Sequence, residues 1–298
     1  MIDGVPAALR RLGEQDKALA SVSRTVSSEP PDDPPMLMFL QLSDVHVGAE
    51  DNRPHHRRLA AAVALANALR PAFVIDTGDV ATHPVYAARP EHLAELAEYG
   101  RYVSALDMPL HVVPGNHDIG YFEPGDNTTW GDGQLWADSD ELEPVFEQEI
   151  GPLDQAFESH GFRFVLVNNN PAVTKGPGAL SPSQLQFLAG ELMKGQTTFV
   201  FCHVELLEQG TGPLWGEAAN SVAALCREHG VPAVSYGHRH RLHLVKRDRT
   251  LYIMCPDLKV PGHDEVLQYR LWLDHFDLWR LNVFSGEGDH LGTYPFPA

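Results

Sequence analysis

A chain of 298 residues is long enough for one large α/β domain or two small ones, and its 43% hydrophobic and 21% charged residues are ordinary for a globular protein. Forty acidic against 22 basic residues leave a formal charge of −18, which speaks against a broad basic face for gripping extended nucleic acid or an anionic membrane. Small anionic substrates stay open, provided a cation in the site reverses the sign locally.

Met1 to Arg11 holds no basic segment leading into an apolar run, and no apolar stretch reaches membrane-spanning length, so a soluble, cytoplasmic protein is expected. Cys202, Cys226 and Cys255 are few, odd in number and set in apolar surroundings, which reads as reduced core residues. Histidine is the unusual count, at 16, and position has to decide which of them matter.

Residues 1–28 carry only a sparse apolar pattern, Leu9, Leu12 and Leu19, and Glu29-Pro30-Pro31-Asp32-Asp33-Pro34-Pro35 can neither continue a helix nor pair in a sheet. The chain therefore divides into an N-terminal extension with a proline-rich linker, residues 1–35, and one domain over residues 36–298. Met36 to Leu42 reads as a buried strand ending in Ser43-Asp44-Val45-His46. Leu59, Val63, Ala66 and Leu69 recur at helical spacing until Pro71, and Ala72 to Ile75 is a second strand, ending in Asp76-Thr77-Gly78-Asp79. A helix over 90–105 leads to a third strand, Leu110 to Val113, which runs through Pro114 and Gly115 into Asn116-His117-Asp118. This is a parallel-sheet rhythm, and ligands bind at the C-terminal edge of such sheets.

Residues 119–153 lack a period and read as a long loop with a short helix over 141–149, a length often used for substrate-facing lids. A strand over 162–167 follows. Ser181-Pro182-Ser183-Gln184 then supplies an N-cap, a first-turn proline and a capping-box glutamine for a helix over 182–193. The strand over 197–202 delivers His203, and a helix over 217–228 precedes the strand over 233–236, which delivers Gly237-His238-Arg239-His240. From Leu242 on, short alternating strands over 242–246, 251–254, 266–273 and 276–284 predict two sheets packed face to face with helices outside.

The strand ends thus carry Asp44 and His46, Asp79, Asn116 and His117, His203, and His238 and His240. Carboxylate, amide oxygen and imidazole in these proportions suit divalent first-row metals, and the lack of cysteine disfavours a structural zinc cage. The order Asp-x-His, Gly-Asp, Gly-Asn-His-Asp, a lone strand-end His and Gly-His-x-His resembles the calcineurin-like metallophosphoesterase superfamily. Within it the layout is most similar to the compact bacterial-type phosphodiesterases related to cyclic-nucleotide hydrolases.

The resemblance implies an α/β fold of two packed mixed β-sheets flanked by helices, a four-layer α/β/β/α sandwich. It implies two metal ions, divalent or of mixed valence and drawn from manganese, iron or zinc. Asp44, His46 and His240 would hold the first, Asn116, His203 and His238 the second, and Asp79 would bridge them. His117 matches the imidazole that faces the substrate phosphoryl group and helps the leaving oxygen, with Asp118 orienting its ring. The implied activity is hydrolysis of a small phosphodiester by a metal-bridging hydroxide, which two cations roughly 3.5–4 Å apart supply near neutral pH. A phosphomonoesterase of small metabolites and a non-catalytic metal-binding scaffold are the alternatives.

Departures from the family pattern bear on the substrate. Gly78-Asp79 continues into Val80-Ala81-Thr82-His83, where the family often carries Asp or Asn, and Cys202-His203-Val204-Glu205 stands where a His-His-Pro-Pro-like block is common. A Gly-Asn-His-Glu block is missing, against the Ser/Thr protein phosphatases, as is a tyrosine after Gly78-Asp79, against purple acid phosphatases. His55, His56, Arg57, His83 and Glu205 are candidates for contacting substrate, each weighed against a solvent-facing reading. The expected partner is a small phosphate ester, with no extended nucleic acid and no membrane; homo-oligomerisation stays open.

Overall fold

The computed structural model describes residues 34–48, 53–82, 89–119, 139–170, 180–206, 216–259, 262 and 264–297. The N-terminal extension, most of the expected lid and His83 lie outside the described residues.

Two six-stranded sheets form the middle of the fold. The first runs in the order β12 (Gly288–Pro295), β11 (His275–Asn282), β10 (Glu265–Leu271), β1 (Leu37–Leu42), β2 (Val74–Asp76) and β3 (Leu110–Val112). The second runs β4 (Gln155–Ser159), β5 (Phe162–Leu166), β6 (Thr198–Phe201), β7 (Ala233–Tyr236), β9 (Thr250–Met254) and β8 (His243–Arg247). β1, β2 and β3 are parallel, as are β5, β6, β7 and β9. The alternating strands at the C-terminal end are shared out: β8 pairs antiparallel with β9 in the second sheet, whereas β10 returns antiparallel to β1 in the first.

Alternation along β1 shows why the layers stack. Leu37 and Phe39 point between the sheets, into a core with Phe73, Phe164, Phe199, Phe201 and Tyr269. Leu40 and Leu42 point the other way, against α1 (Arg53–Leu69), α2 (Arg89–Val103) and α4 (Ser139–Glu149), through Leu59, Leu65, Leu96 and Phe146. The second sheet is covered by α5 (Pro182–Leu192) and α6 (Gly216–Glu228), through Leu188, Leu192, Val222 and Cys226. The result is the helix, sheet, sheet, helix sandwich expected from the sequence. Phe39 stacks on Tyr269 at 4.4 Å and on Phe73 at 5.0 Å between ring centroids. Burial of each such ring contributes about 1.5–3 kcal/mol, and a ring pair about 0.5–1.5 kcal/mol more.

The polar exception in β1, Gln41, ties the two sheets together. Its Oε1 accepts from Ser235 Oγ of β7 at 2.7 Å and from Tyr269 Oη of β10 at 2.7 Å, and its Nε2 donates to Thr77 Oγ1 at 3.2 Å. A buried amide with these partners satisfied locks the sheets' relative position one residue from where β1 ends. The α5 cap forms as the sequence predicts: Gln184 N donates to Ser181 Oγ, and Ser181 N donates to Gln184 Oε1 at 2.9 Å.

Two strands escape the sequence reading, β4 and β12, and both are sheet edges whose half-exposed residues make no apolar run. The stretch read as a polar loop after β3 is a single helical turn, α3 (Asn116–Ile119). Among the described residues no helix is long and apolar enough to cross a membrane.

Candidate metal centre

The site lies where strands from both sheets end. β1, β2 and β3 lead into Asp44 and His46, Asp79 and Asn116, while β6 and β7 lead into His203 and into His238 and His240. Two groups of converging ligand atoms result, Asp44 with His46, Asp79 and His240, and Asp79 with His203 and His238, the atoms of each group lying within 4.8 Å of one another. Asp79 belongs to both. In the first group His46 Nε2 lies 3.3 Å from His240 Nε2 and 3.5 Å from Asp79 Oδ2, and His240 Nε2 lies 3.3 Å from Asp44 Oδ1. In the second, His203 Nε2 lies 3.3 Å from Asp79 Oδ2. Asn116 Oδ1 joins it, 3.0 Å from His203 Nε2 and 2.9 Å from His238 Nδ1.

These spacings fit metal ligation. Donors held about 2.0–2.2 Å from one ion at tetrahedral or octahedral angles stand about 2.8–3.6 Å from each other. Proton positions agree as well. His203 Nδ1 is bonded to Thr77 O at 2.7 Å, which turns Nε2 toward Asn116 Oδ1, an acceptor. A neutral His203 would face oxygen with a lone pair, an arrangement that a cation between them satisfies.

Electrostatics point the same way. Burial pushes His46 well below the usual imidazole range, against the pull of Asp79, and pushes His240 down to about 4, with Lys259 adding to the effect. Both rings are therefore neutral and able to ligate. His203 is the exception: burial opposes its charge most strongly, yet the charge and hydrogen bond of Asp79, with Asp44 and the Thr77 carbonyl, together hold it up to about 10. Without metal, this imidazolium offsets the buried acids.

The pH consequence has a definite sign. A folded-state value near 10 against 6.5 in the unfolded chain means that His203 stabilises the metal-free fold at low pH, and that this contribution fades as pH rises from about 6.5 through about 10. His240, depressed to about 4, acts oppositely, its contribution fading as pH falls from about 6.5 through about 4. Binding a metal at His203 must expel its proton, so manganese affinity is expected to rise up to about tenfold per pH unit above neutrality. Calorimetric titration at pH 8 in buffers of different ionisation enthalpy should register about one proton released; none released would contradict this account.

The loops that aim the ligands are strained. Asp44 (φ 52°), His46 (50°), Asp79 (56°), His238 (74°) and His240 (54°) all adopt left-handed backbone, which L-residues favour little and which costs about 1–2 kcal/mol each. Ladder-like bonds hold them there: Asp44 N donates to Gly78 O at 2.9 Å and His46 N to Asp79 O at 2.8 Å. Gly237 lets the second sheet close on the first, because a Cβ there would stand 1.9 Å from Ser43 Oγ and 2.4 Å from Asp44 Oδ2. That approach allows His238 N to donate to Asp44 Oδ2 at 3.0 Å.

Beside the ligands, His117 stands with its ring centroid 4.7 Å from that of His46, and its amide donates to Asp79 Oδ1 at 2.8 Å. The expectation that Asp118 orients this ring is corrected. Asp118 accepts from the amides of Asp79 (2.9 Å), Ala81 (2.9 Å) and Gly115 (2.7 Å), so it knits the second and third strand ends together. Burial pushes its carboxyl up to about 8 and Asp79 adds to this, opposed by the amide donors. The ring's Nδ1 is bonded instead to Thr82 O at 2.8 Å. Thr82 is itself fixed by its amide donating to Glu95 Oε2 at 2.9 Å and its hydroxyl donating to His46 O at 2.7 Å.

The other substrate candidates lie elsewhere. His56 packs between α1 and α2, with Nδ1 3.7 Å from Glu98 Oε1, and Arg57 sits over the ring of Phe284. His55 falls on α1, its side chain outside the described residues. Glu205 is fully buried, its Oε1 bonded to Arg239 Nε and its Oε2 3.8 Å from His238 Nε2. It therefore backs a ligand instead of facing substrate, because His238 Nδ1, the opposite ring atom, is the one turned to the cluster. Residues the sequence reading missed include Asn169, whose Oδ1 accepts from the amides of His203 (3.0 Å) and Val204 (2.9 Å). The signal was present, since Asn168-Asn169-Asn170 is another polar run at a strand end.

Residues 37–242 match the family model described as calcineurin-like phosphoesterase. No curated protein matches the chain. Among solved structures, a dimetal phosphatase from Danio rerio is similar with a TM-score of 0.66 at 18% identity, over 89% of this chain and 100% of that one. A purple acid phosphatase from yellow lupin (Lupinus luteus) seeds is similar with a TM-score of 0.61 at 12% identity, over 87% of this chain and 53% of that one. At such identities these are likenesses of fold. The family supports a metal-dependent phosphoric ester hydrolase, and together with the converging carboxylates and imidazoles it suggests a dinuclear divalent metal site. With more than half of its length matched, and with each matched motif delivering a residue to one edge of the two sheets, the chain belongs to the calcineurin-like phosphoesterase family.

Proposed function

We propose that the protein hydrolyses a small phosphodiester, cyclic-nucleotide-like or related, at a centre of two divalent or mixed-valence ions drawn from manganese, iron or zinc. The observation that carries this reading is the sharing of Asp79 by the two ligand groups, with His117 bonded to the same carboxylate through its amide. Asp44, His46 and His240 would hold one ion, Asn116, His203 and His238 the other, with Asp79 shared by the two groups. Bound ions supply Lewis acidity toward phosphoryl oxygens and lower the pKa of water. His117 stands at the substrate side to pass a proton to the leaving oxygen, its Nδ1 anchored by Thr82 so that Nε2 is the working atom.

A diester carries a single charge on the reacting phosphoryl group, and Arg239, between two ligands in the sequence, is engaged by Glu205. The formal charge of −18 favours a small substrate over extended nucleic acid. Three buried, unpaired cysteines support a reducing, cytoplasmic setting.

The test is turnover of bis(nitrophenyl) phosphate and nitrophenyl phosphate by the manganese-loaded chain, before and after chelation. The diester is expected to be hydrolysed faster, with activity lost to chelator and restored by manganese. Indifference to chelator overturns the two-ion reading, and faster monoester turnover transfers the assignment to a phosphomonoesterase. A fully loaded protein inert toward every ester favours the scaffold.

A further inference from the structure

The loop that follows β9 closes over the first ligand group, and nothing in the motif order announces it. Leu258 N donates to Ser43 O at 3.4 Å, beside Asp44, and Asp257 Oδ2 lies 3.8 Å from His240 Nδ1. The next residue, Lys259, is pinned from two sides: its amide donates to Asp257 Oδ1 at 2.8 Å, and its carbonyl accepts from Arg58 Nη1 at 2.9 Å. Arg58 is buried on α1 and is also bonded to Asp264, so it ties Lys259 to the residue that precedes β10. A lysine backbone held this firmly presents its side chain from a defined point.

We propose that Lys259 is a substrate-binding residue, its ammonium taking a non-bridging oxygen of the substrate's phosphoryl group on the side of the centre bounded by Asp44 and His240. This rests on the reading of the centre as one that handles phosphate esters. Two observations carry it. The backbone anchors just described place Lys259 against the Asp44 group. Half-buried, it has no carboxylate partner for its ammonium among the described residues, in a chain with 40 acidic residues. Its charge adds to burial in depressing His46, His117 and His240, in keeping with that placement.

A cation beside a centre shaped for two divalent ions is repelled by them, and no ion pair of its own among the described residues offsets that repulsion. An anion seated between the ions and the ammonium removes it and makes a charge-assisted bond to each. Lysine suits the task as a point charge on a flexible stem, able to follow an oxygen that moves during in-line displacement. Lys259 lies beyond residues 37–242, the segment that matches the family, so the contact belongs to this chain's own C-terminal part.

The test compares Lys259→Met and Lys259→Arg with the parent, all as the full manganese-loaded chain. Calorimetric titration with inorganic phosphate should show an affinity about tenfold weaker for Lys259→Met and within about threefold of the parent for Lys259→Arg, as expected for one charge-assisted bond. Metal content should stay at the parent's level in both. On bis(nitrophenyl) phosphate, KM should rise about tenfold for Lys259→Met with kcat within about threefold, because the bond is made equally in the ground and transition states. Parent-like phosphate affinity in Lys259→Met overturns the proposal, as does loss of metal, which makes the residue structural. A parent that binds phosphate through Lys259 yet hydrolyses no ester leaves this inference standing and removes the hydrolase reading; a parent that binds no phosphate but turns over the diester overturns this inference and leaves the hydrolase reading standing.

Discussion

Asp79→Asn is expected to empty both metal positions on dialysis and to lower kcat/KM for bis(nitrophenyl) phosphate on the order of 10³-fold, the loss expected when metal ions supplying several kcal/mol of transition-state stabilisation are removed. The substitution keeps shape and one oxygen but removes the charge that both ligand groups share. Asp79 Oδ2 stands 3.5 Å from His46 Nε2 and 3.3 Å from His203 Nε2, so no other side chain among the described residues faces both groups in this way. Charge is the point, since Asp44 is then the sole carboxylate left in either ligand group to offset two divalent ions. The backbone need not change: the amide and carbonyl at this position keep their bonds to Asp118 and His46, and the side-chain oxygen that the substitution retains still offers an acceptor to the amide of His117. Metal content by mass spectrometry and kcat/KM are the measurements. Full retention of two ions with parent-like turnover would show that Asp79 is not what the two ions share.

The layout behind that expectation was legible in the sequence for a physical reason. Strands buried on both faces read as unbroken apolar runs, so Asp44, Asp79, Asn116, His203 and His238 stand out as polar residues arriving where each run stops. Edge strands offer no such contrast. Gly288 to Pro295 and Gln155 to Ser159 pair on one side only, and their exposure removes the hydrophobic pattern that would have marked them.

Supporting roles were illegible for another reason, since a side chain's partner depends on what folds against it. Asp118 bonds three amides from the β2 and β3 ends where ring contact was expected, and Glu205 lies behind His238, not before the substrate. Glu95 looks in sequence like any acidic residue on an exposed helix, yet it is buried and holds Thr82. Lys259 gains its place from Arg58, 201 residues away in the chain.

His117→Ala, in contrast to Asp79→Asn, is expected to keep both ions and to lose turnover selectively. On a dialkyl phosphate, whose leaving alkoxide needs a proton, kcat should fall about 10²–10⁴-fold, the range for loss of a general acid, while bis(nitrophenyl) phosphate, with a stable leaving phenolate, should lose far less. The selectivity follows from position. His117 belongs to neither ligand group, its Nδ1 is bonded to Thr82 O, and its ring stands edge-on to His46, so Nε2, across the ring from the Thr82 bond, is the nitrogen assigned to the substrate. Burial lowers its pKa and Asp79 opposes this, so the free enzyme holds the ring largely neutral at pH 7. A substrate anion favours the proton further, so dialkyl turnover should decline on the alkaline side of its pH profile, and the variant should lack that limb. Holding Thr82 is then what keeps the ring aimed: its amide is fixed by Glu95 and its hydroxyl by the carbonyl of His46, which couples the acid's direction to the backbone of a metal ligand. Equal losses on both esters would mean that His117 contributes to binding the phosphoryl group and not to the departure of the leaving oxygen.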